Sequence, residues 1–199
     1  MSSSDSDLLQ LVRTGQSEAF DVLVDRYRPR LLRFATQMFG ESSIAEDLVQ
    51  ETFAAVFTAR DSFNPAFAFS TWIWTILLNV CRRERRRRRT HQRTCTEAAK
   101  LRDVSVAHDA STEYERLEDA ARLRTLLEEL PAAQADALRL RFFGGLSFDE
   151  VALAMDSSVS GAKARVRKGL TALASRLRTE GTSEFAHLLR CETDSESRT

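Results

Sequence analysis

Apolar residues recur every three or four positions along almost the whole chain, and nowhere do they alternate with polar ones over a strand-length run. A period near 3.6 collects such residues on one face of a helix, whereas a half-buried strand needs a period of two. The fold class this predicts is all-α. The 199 residues suffice for one or two domains with a real core. A first short helix is expected over Leu8 to Thr14, capped by Ser6 or Asp7. Ser17 reads as the next N-cap, and Phe20, Leu23, Val24, Tyr27, Leu31, Leu32, Phe34, Ala35 and Phe39 keep helical spacing up to Gly40. Pro29 lies inside that run, where it is expected to kink or split the helix.

The stretch from Ile44 to Arg93 holds the most chemistry. Ala45, Leu48, Val49, Thr52, Phe53 and Val56 share one apolar helix face. Asp47, Gln50, Glu51 and Ala54, at i, i+3, i+4 and i+7, line another. Spacing alone also fits the solvated side of an ordinary core helix. Ser62 to Ser70 reads as a loop holding Phe63, Asn64, Pro65, Phe67 and Phe69, with Pro65 as the breaker. Ser70 or Thr71 caps the following helix. That helix carries Trp72, Ile73, Trp74, Ile76, Leu77, Leu78 and Val80, more apolar bulk than one buried stripe requires. Arg82, Arg83, Arg85 to Arg89 and Arg93 follow, interrupted by Glu84. Rings beside guanidinium groups suit single-stranded nucleic acid, because rings stack on bases and cations hold phosphates. The same residues also fit two core tryptophans and a solvated arginine tail.

Formal net charge is zero but unevenly distributed. Residues 1–95 hold 14 basic and 11 acidic residues, and residues 131–178 hold 8 and 4. Between them residues 96–130 hold 5 basic and 9 acidic, and residues 179–199 hold 2 and 5. Basic segments separated by acidic ones point to nucleic acid. Three scattered cysteines make neither a disulfide framework nor a zinc pattern, and they imply a reducing, cytoplasmic setting. The opening MSSSDSDLL is too polar for a signal peptide. No apolar run reaches the roughly 18 residues that membrane insertion needs. No metal site, cofactor or catalytic constellation is expected: there is no paired carboxylate pocket, Gly-rich phosphate loop or Cys/His nucleophile arrangement.

Thr94 to about Asp119 is polar, acidic and weakly periodic, which fits a flexible tether. Leu117, Ala120, Ala121, Leu123, Leu126, Leu127 and Leu130 then resume helical spacing. Pro131 is placed in the first turn of the next helix, which is expected to run to Gly144. Ser147 and Glu150 form a capping box. After Met155, Asp156 to Val159 make a turn, and Ser160 is expected to cap a last helix from Gly161 to about Arg178. Short helix, tight turn and long basic helix spell a helix-turn-helix. Val166, Leu170, Leu173 and Leu177 form its core stripe, leaving Lys163, Arg167 and Lys168 on another side with Arg165 flanking.

AEDLVQETF, then W-x-W-x-x-x-x-N and an arginine run, resembles region two of bacterial RNA polymerase sigma factors. LPAAQADALRLRFFGGLSFDEVALAMDSSVSGAKARVRKGLTAL resembles region four. The short two-domain chain is similar to the extracytoplasmic-function group. The resemblance implies a region-two domain over 7–93, a linker over 94–116, a helix-turn-helix domain over 117–178, and a tail over 179–199 without assigned role. It implies docking on core RNA polymerase through Asp47, Leu48, Gln50, Glu51 and Phe53. It implies recognition and opening of a minus-ten element by Phe63, Asn64, Phe67, Trp72, Trp74, Asn79, Arg82, Arg83 and Arg86. For the minus-thirty-five element it implies Arg141, Ser158, Ser160, Gly161, Lys163, Ala164, Arg165, Arg167 and Lys168. The partners implied are core polymerase and double- and single-stranded promoter DNA; in this family an anti-sigma factor often clamps the two domains. Two positions depart from the family pattern: Asp156 stands where glycine is usual in the turn, and Ser157 where Ile or Val usually packs into the core. A plain helix-turn-helix regulator accounts for residues 131–178 equally well, but leaves AEDLVQETF and the aromatic-arginine helix unexplained.

Overall fold

The computed structural model describes the backbone of residues 3–95 and 111–179, and the side chains of residues 3–91 and 118–178. Among the described residues there is no strand, as the periodicity requires. In chain order the elements are α1 (Asp5–Arg13), α2 (Glu18–Phe39), α3 (Ser42–Ala59), a 3₁₀ turn (Arg60–Ser62) and α4 (Phe69–Cys95), then α5 (Ser111–Glu128), α6 (Ala132–Leu138), a π turn (Arg139–Phe143), α7 (Phe148–Ala154) and α8 (Val159–Thr179). The chain divides into two compact units between Ala120 and Ala121. Helical backbone reaches Cys95 and resumes at Ser111, both inside the span expected as linker. The interior of that span and the tail lie outside the described residues.

In the N-terminal unit α1 and α3 pack on α2, and α4 packs on α3. Leu23, Leu31, Phe34, Ile73, Trp74 and Leu77 are fully buried where these helices meet. The expected break at Pro29 does not occur: α2 runs through it. The donor that proline lacks would have served the Asp25 carbonyl, and both residues lie on the exposed side of the helix, where water can take that carbonyl. Gly40 ends α2 in the left-handed conformation at φ 75°, its N–H donating to the Thr36 carbonyl. The cap of α1 sits earlier than expected, at Ser4, in a capping box with Asp7. Asp5 then accepts hydrogen bonds from Arg26 and from the Tyr27 hydroxyl, fastening α1 to α2. Burial, and then that bond to Asp5, push the Tyr27 hydroxyl well above the usual phenol range.

The C-terminal unit packs α6 and α7 against α8. Its core is aliphatic, with Leu127, Ala137, Leu140, Leu146, Val151 and Ala162 almost wholly buried. Asp136 and Arg139 are buried with them. Gly169 lets α6 and α8 approach closely: a Cβ there would stand 2.7 Å from Leu138 Cδ1, so that side chain would have to shift. Pro131 sits one residue before α6 rather than inside its first turn. The helix expected to continue to Gly144 opens at Arg139 into a π turn. Ser147 and Glu150 do form the capping box of α7. Asp156 takes the left-handed conformation, φ 49°, in the turn before α8. A short polar side chain tolerates that region better than a bulky one.

Candidate functional site

On α3 the spacing separates two faces as expected. Asp47, Gln50 and Glu51 are exposed. Leu48 and Phe53, also expected to meet a partner there, are only 5% and 8% exposed. The Phe53 ring meets Phe20 of α2 edge-on, centroids 6.2 Å apart. These two side chains therefore support the face from behind and do not form it. Glu51 is engaged by Arg83 of α4 in an ion pair.

The loop before α4 rests on an aromatic cluster. Phe63 lies 5.1 Å from Trp72 and 6.0 Å from Phe69, and Phe69 lies 5.3 Å from Tyr27. Phe63 is 6% exposed, so among the loop side chains it acts as the anchor and not as a contact. Asn64 turns the chain, its Oδ1 accepting from the Ala66 N–H at 2.9 Å. That turn leaves Phe67 standing out, 54% exposed. The two tryptophans part company. Trp72 is half-buried beside the loop. Trp74 is fully buried, edge-on to Phe34 at 5.4 Å, with the Arg30 guanidinium 5.7 Å from its ring. Trp74 was expected at the minus-ten surface; it is core, because two residues along a helix turn a side chain to the far side.

The arginine run continues α4, and much of it is already partnered. Arg83 pairs with Glu51, and Arg88 pairs with Glu41 at 3.1 Å. Glu84 holds Arg87 at 2.7 Å and Arg88 at 3.0 Å. The Arg87 hydrogen bond is the main reason the Glu84 carboxyl lies below the usual carboxylate range. Asn79, Arg86 and Arg89 are exposed, and Arg82 is half-buried. Glu41, which reaches across to this run, carried no sequence signal.

In the C-terminal unit the cap of α8 is Ser158, not Ser160: the Gly161 N–H donates to Ser158 Oγ at 3.1 Å. Ser160 Oγ lies 3.1 Å from that same oxygen. Lys163, Arg167 and Lys168 are exposed, with Ala164 half-buried between them. Arg165 is half-buried and lies back along its helix, one terminal nitrogen 3.6 Å from where a Gly161 Cβ would be. Arg141 donates to the Leu146 carbonyl at 2.8 Å, bracing the turn that leads into α7. Its guanidinium carbon also stands 4.9 Å from the Phe148 ring centroid, and Lys163 Nζ stands 5.4 Å from the same point. Nothing in the sequence pattern singled out Phe148.

Among the described residues no cluster of three or more His, Cys, Asp or Glu side chains is arranged to hold a metal, and no helix is long and apolar enough to cross a membrane.

Comparison with known proteins covers both units. Residues 23–91 match the family Sigma-70 region 2, and residues 120–173 match Sigma-70, region 4. The ECF RNA polymerase sigma factor EcfG of Rhodopseudomonas palustris is 32% identical over 158 residues, covering 79% of this chain and 84% of that protein. The RNA polymerase sigma-H factor of Pseudomonas aeruginosa is 28% identical over 176 residues, covering 85% and 91%. Among solved structures, the sigma factor RpoE of Bartonella quintana, crystallised with the anti-sigma factor NepR, superposes with a TM-score of 0.60 at 25% identity, covering 80% of this chain and 96% of that one. CnrH, solved with the cytosolic domain of CnrY, gives 0.68 at 24% identity, covering 89% and 99%.

Proposed function

This chain belongs to the extracytoplasmic-function group of RNA polymerase sigma factors and directs the polymerase to promoters; from that premise we propose how its surfaces divide the work. The exposed face of α3, with Asp47, Gln50 and Glu51, docks on core polymerase. The loop at Asn64 and Phe67 captures an unstacked minus-ten base, with the half-buried Trp72 beside it. Arg86 and Arg89 hold flanking phosphates. The N-terminal half of α8 enters the major groove at the minus-thirty-five element. The chain does this by binding alone and carries out no covalent chemistry. Its place of work is the cytoplasm. An anti-sigma factor is its natural antagonist, a reading supported by the NepR complex of a relative.

The observation that carries this assignment is the outward Phe67 above a closed aromatic cluster. A large ring left half in water, on a loop braced by Asn64, is poised to stack on a base at a gain of roughly 1–3 kcal/mol. Permanganate footprinting of the holoenzyme on its own upstream DNA tests it. Phe67→Ala is expected to leave closed complexes with little thymine reactivity at the minus-ten element. Wild-type opening by that variant would remove Phe67 from the site. For docking, Asp47→Arg is the cleaner probe, since changing Glu51 also frees Arg83. Unchanged affinity of Asp47→Arg for core polymerase would sink the α3 assignment.

A further inference from the structure

Three elements converge on one ring. Arg141 comes from the π turn, Phe148 opens α7 and Lys163 lies in α8. Both cations stand within the roughly 6 Å over which the negative face of an aromatic ring attracts them. They are thereby held within about 10 Å of each other, a Debye length at 0.1 M salt. Neither has a carboxylate partner among the described residues. The backbone that carries the ring is held in place. Ser147 and Glu150 lock the backbone at its base, with bonds of 2.9 and 3.2 Å. Arg141 is tied to the same turn through the Leu146 carbonyl.

We propose that Phe148 is a positioning residue of the promoter-reading surface, its ring ordering the Arg141 guanidinium and the Lys163 ammonium before DNA arrives. This rests on the reading that α8 meets the minus-thirty-five element. An apolar ring has nothing to donate to a base edge or a phosphate, so it acts through the two cations. A lysine head on a four-carbon stem loses freedom when it binds, and a group ordered beforehand loses less. The ring also offsets the mutual repulsion that would drive two unpaired cations apart. A leucine in this place would fill the space and do neither.

The test uses holoenzyme assembled from the full chain and core polymerase, and a promoter duplex selected from a library randomised over its upstream element. Compared are Phe148→Tyr, Phe148→Leu, a tetrafluorinated phenylalanine at 148, Lys163→Ala, Arg141→Ala, and Phe148→Leu combined with Lys163→Ala. Fluorination preserves the ring's shape and drains its negative face. Phe148→Leu and the fluorinated ring are expected to weaken binding about five-fold. Phe148→Tyr should bind as the wild type, and the leucine change should cost less once Lys163 is gone. The fluorinated protein should melt as the wild type does, which separates positioning from packing. Should the leucine variant melt early, the fluorinated ring alone decides. Wild-type binding by the fluorinated ring while Lys163→Ala is impaired would overturn the proposal and leave the promoter-reading role of α8 standing. Tighter binding by the leucine variant would overturn it too, since the ring would then be withholding Lys163. If Lys163→Ala and Arg141→Ala also bind normally, the upstream reading itself fails.

Discussion

The basic runs of α4 and α8 look alike as sequence and differ as surfaces. On α4, Glu51, Glu41 and Glu84 hold Arg83, Arg88 and Arg87. On α8, Lys163, Arg167 and Lys168 stand exposed, and the nearest ordering contact is a ring. Farther along α8, Arg176 does pair with Glu129, at 3.5 Å, but three other acids of the unit serve elsewhere. Glu150 caps α7, Asp136 is buried and Asp156 shapes the turn. Arginine density therefore overstates the phosphate-binding capacity of α4, because part of that helix's charge fastens it to α3. The cores differ in the same sense. The N-terminal unit is built on rings that meet edge-on or tilted behind the Asn64–Phe67 loop, and the C-terminal unit on aliphatic side chains that let helices approach closely.

The sharpest way to break this comparison is to remove the ring at the centre of the aromatic core. Trp74→Ala should cost about 3–5 kcal/mol and lower the melting transition of the N-terminal unit strongly, read by circular dichroism. A wild-type melt would mean that Trp74 is free to act at the promoter after all. The corresponding change in the aliphatic unit is Gly169→Ala. Forcing a methyl against Leu138 should cost about 1–3 kcal/mol, against roughly 1 kcal/mol gained in helix propensity. A rise in melting temperature would show that the α6–α8 contact yields easily.

Salt dependence addresses the cations directly. Arg167→Ala should reduce the slope of log affinity against log salt by about 0.9. Arg87→Ala should reduce it by much less, because Glu84 already neutralises that charge. Equal losses would erase the distinction between the two helices. Acid sharpens it further. The Glu84 carboxyl lies below its ordinary 4.5, chiefly through the Arg87 hydrogen bond. A depressed carboxylate adds stability that is present above about 4.5 and is lost as pH falls through its lower folded value. Glu84→Gln should therefore lower stability slightly at neutral pH and flatten the acid limb of the stability curve. An unchanged acid limb would mean that Glu84 is not coupled to the arginines. The smallest effect belongs to Asp156→Gly, which should stabilise the C-terminal unit by some tenths of a kcal/mol by removing the left-handed penalty. A loss in melting temperature would indicate that the aspartate side chain supports the turn.

Much of this was legible without coordinates. The Ser147–Glu150 capping box follows from residues within one turn of each other. Helical periodicity sorted exposed Asp47, Gln50 and Glu51 from buried Ala45, Val49 and Val56 on the same helix. The errors have a common origin. Ser158 displaced Ser160 as the cap because Ser157, Ser158 and Ser160 offer equivalent hydroxyls within one helical turn, and only the backbone path chooses among them. Pro29 left α2 unbroken because its side of the helix faces water.

The sequence by itself determined an all-helical chain with two basic segments and the motifs of both sigma regions, since periodicity, caps and charge are properties of neighbours along the chain. The tertiary structure alone decided which of several identical side chains are available. Trp72 and Trp74 are two positions apart, yet one borders the loop and the other is sealed against Phe34. Arg83 and Arg88 are claimed by carboxylates 32 and 47 residues away, one in α3 and one at its N-cap, which meet α4 only after folding. Those partners, like the ring that gathers Arg141 and Lys163, are set by helix packing, which no local pattern encodes.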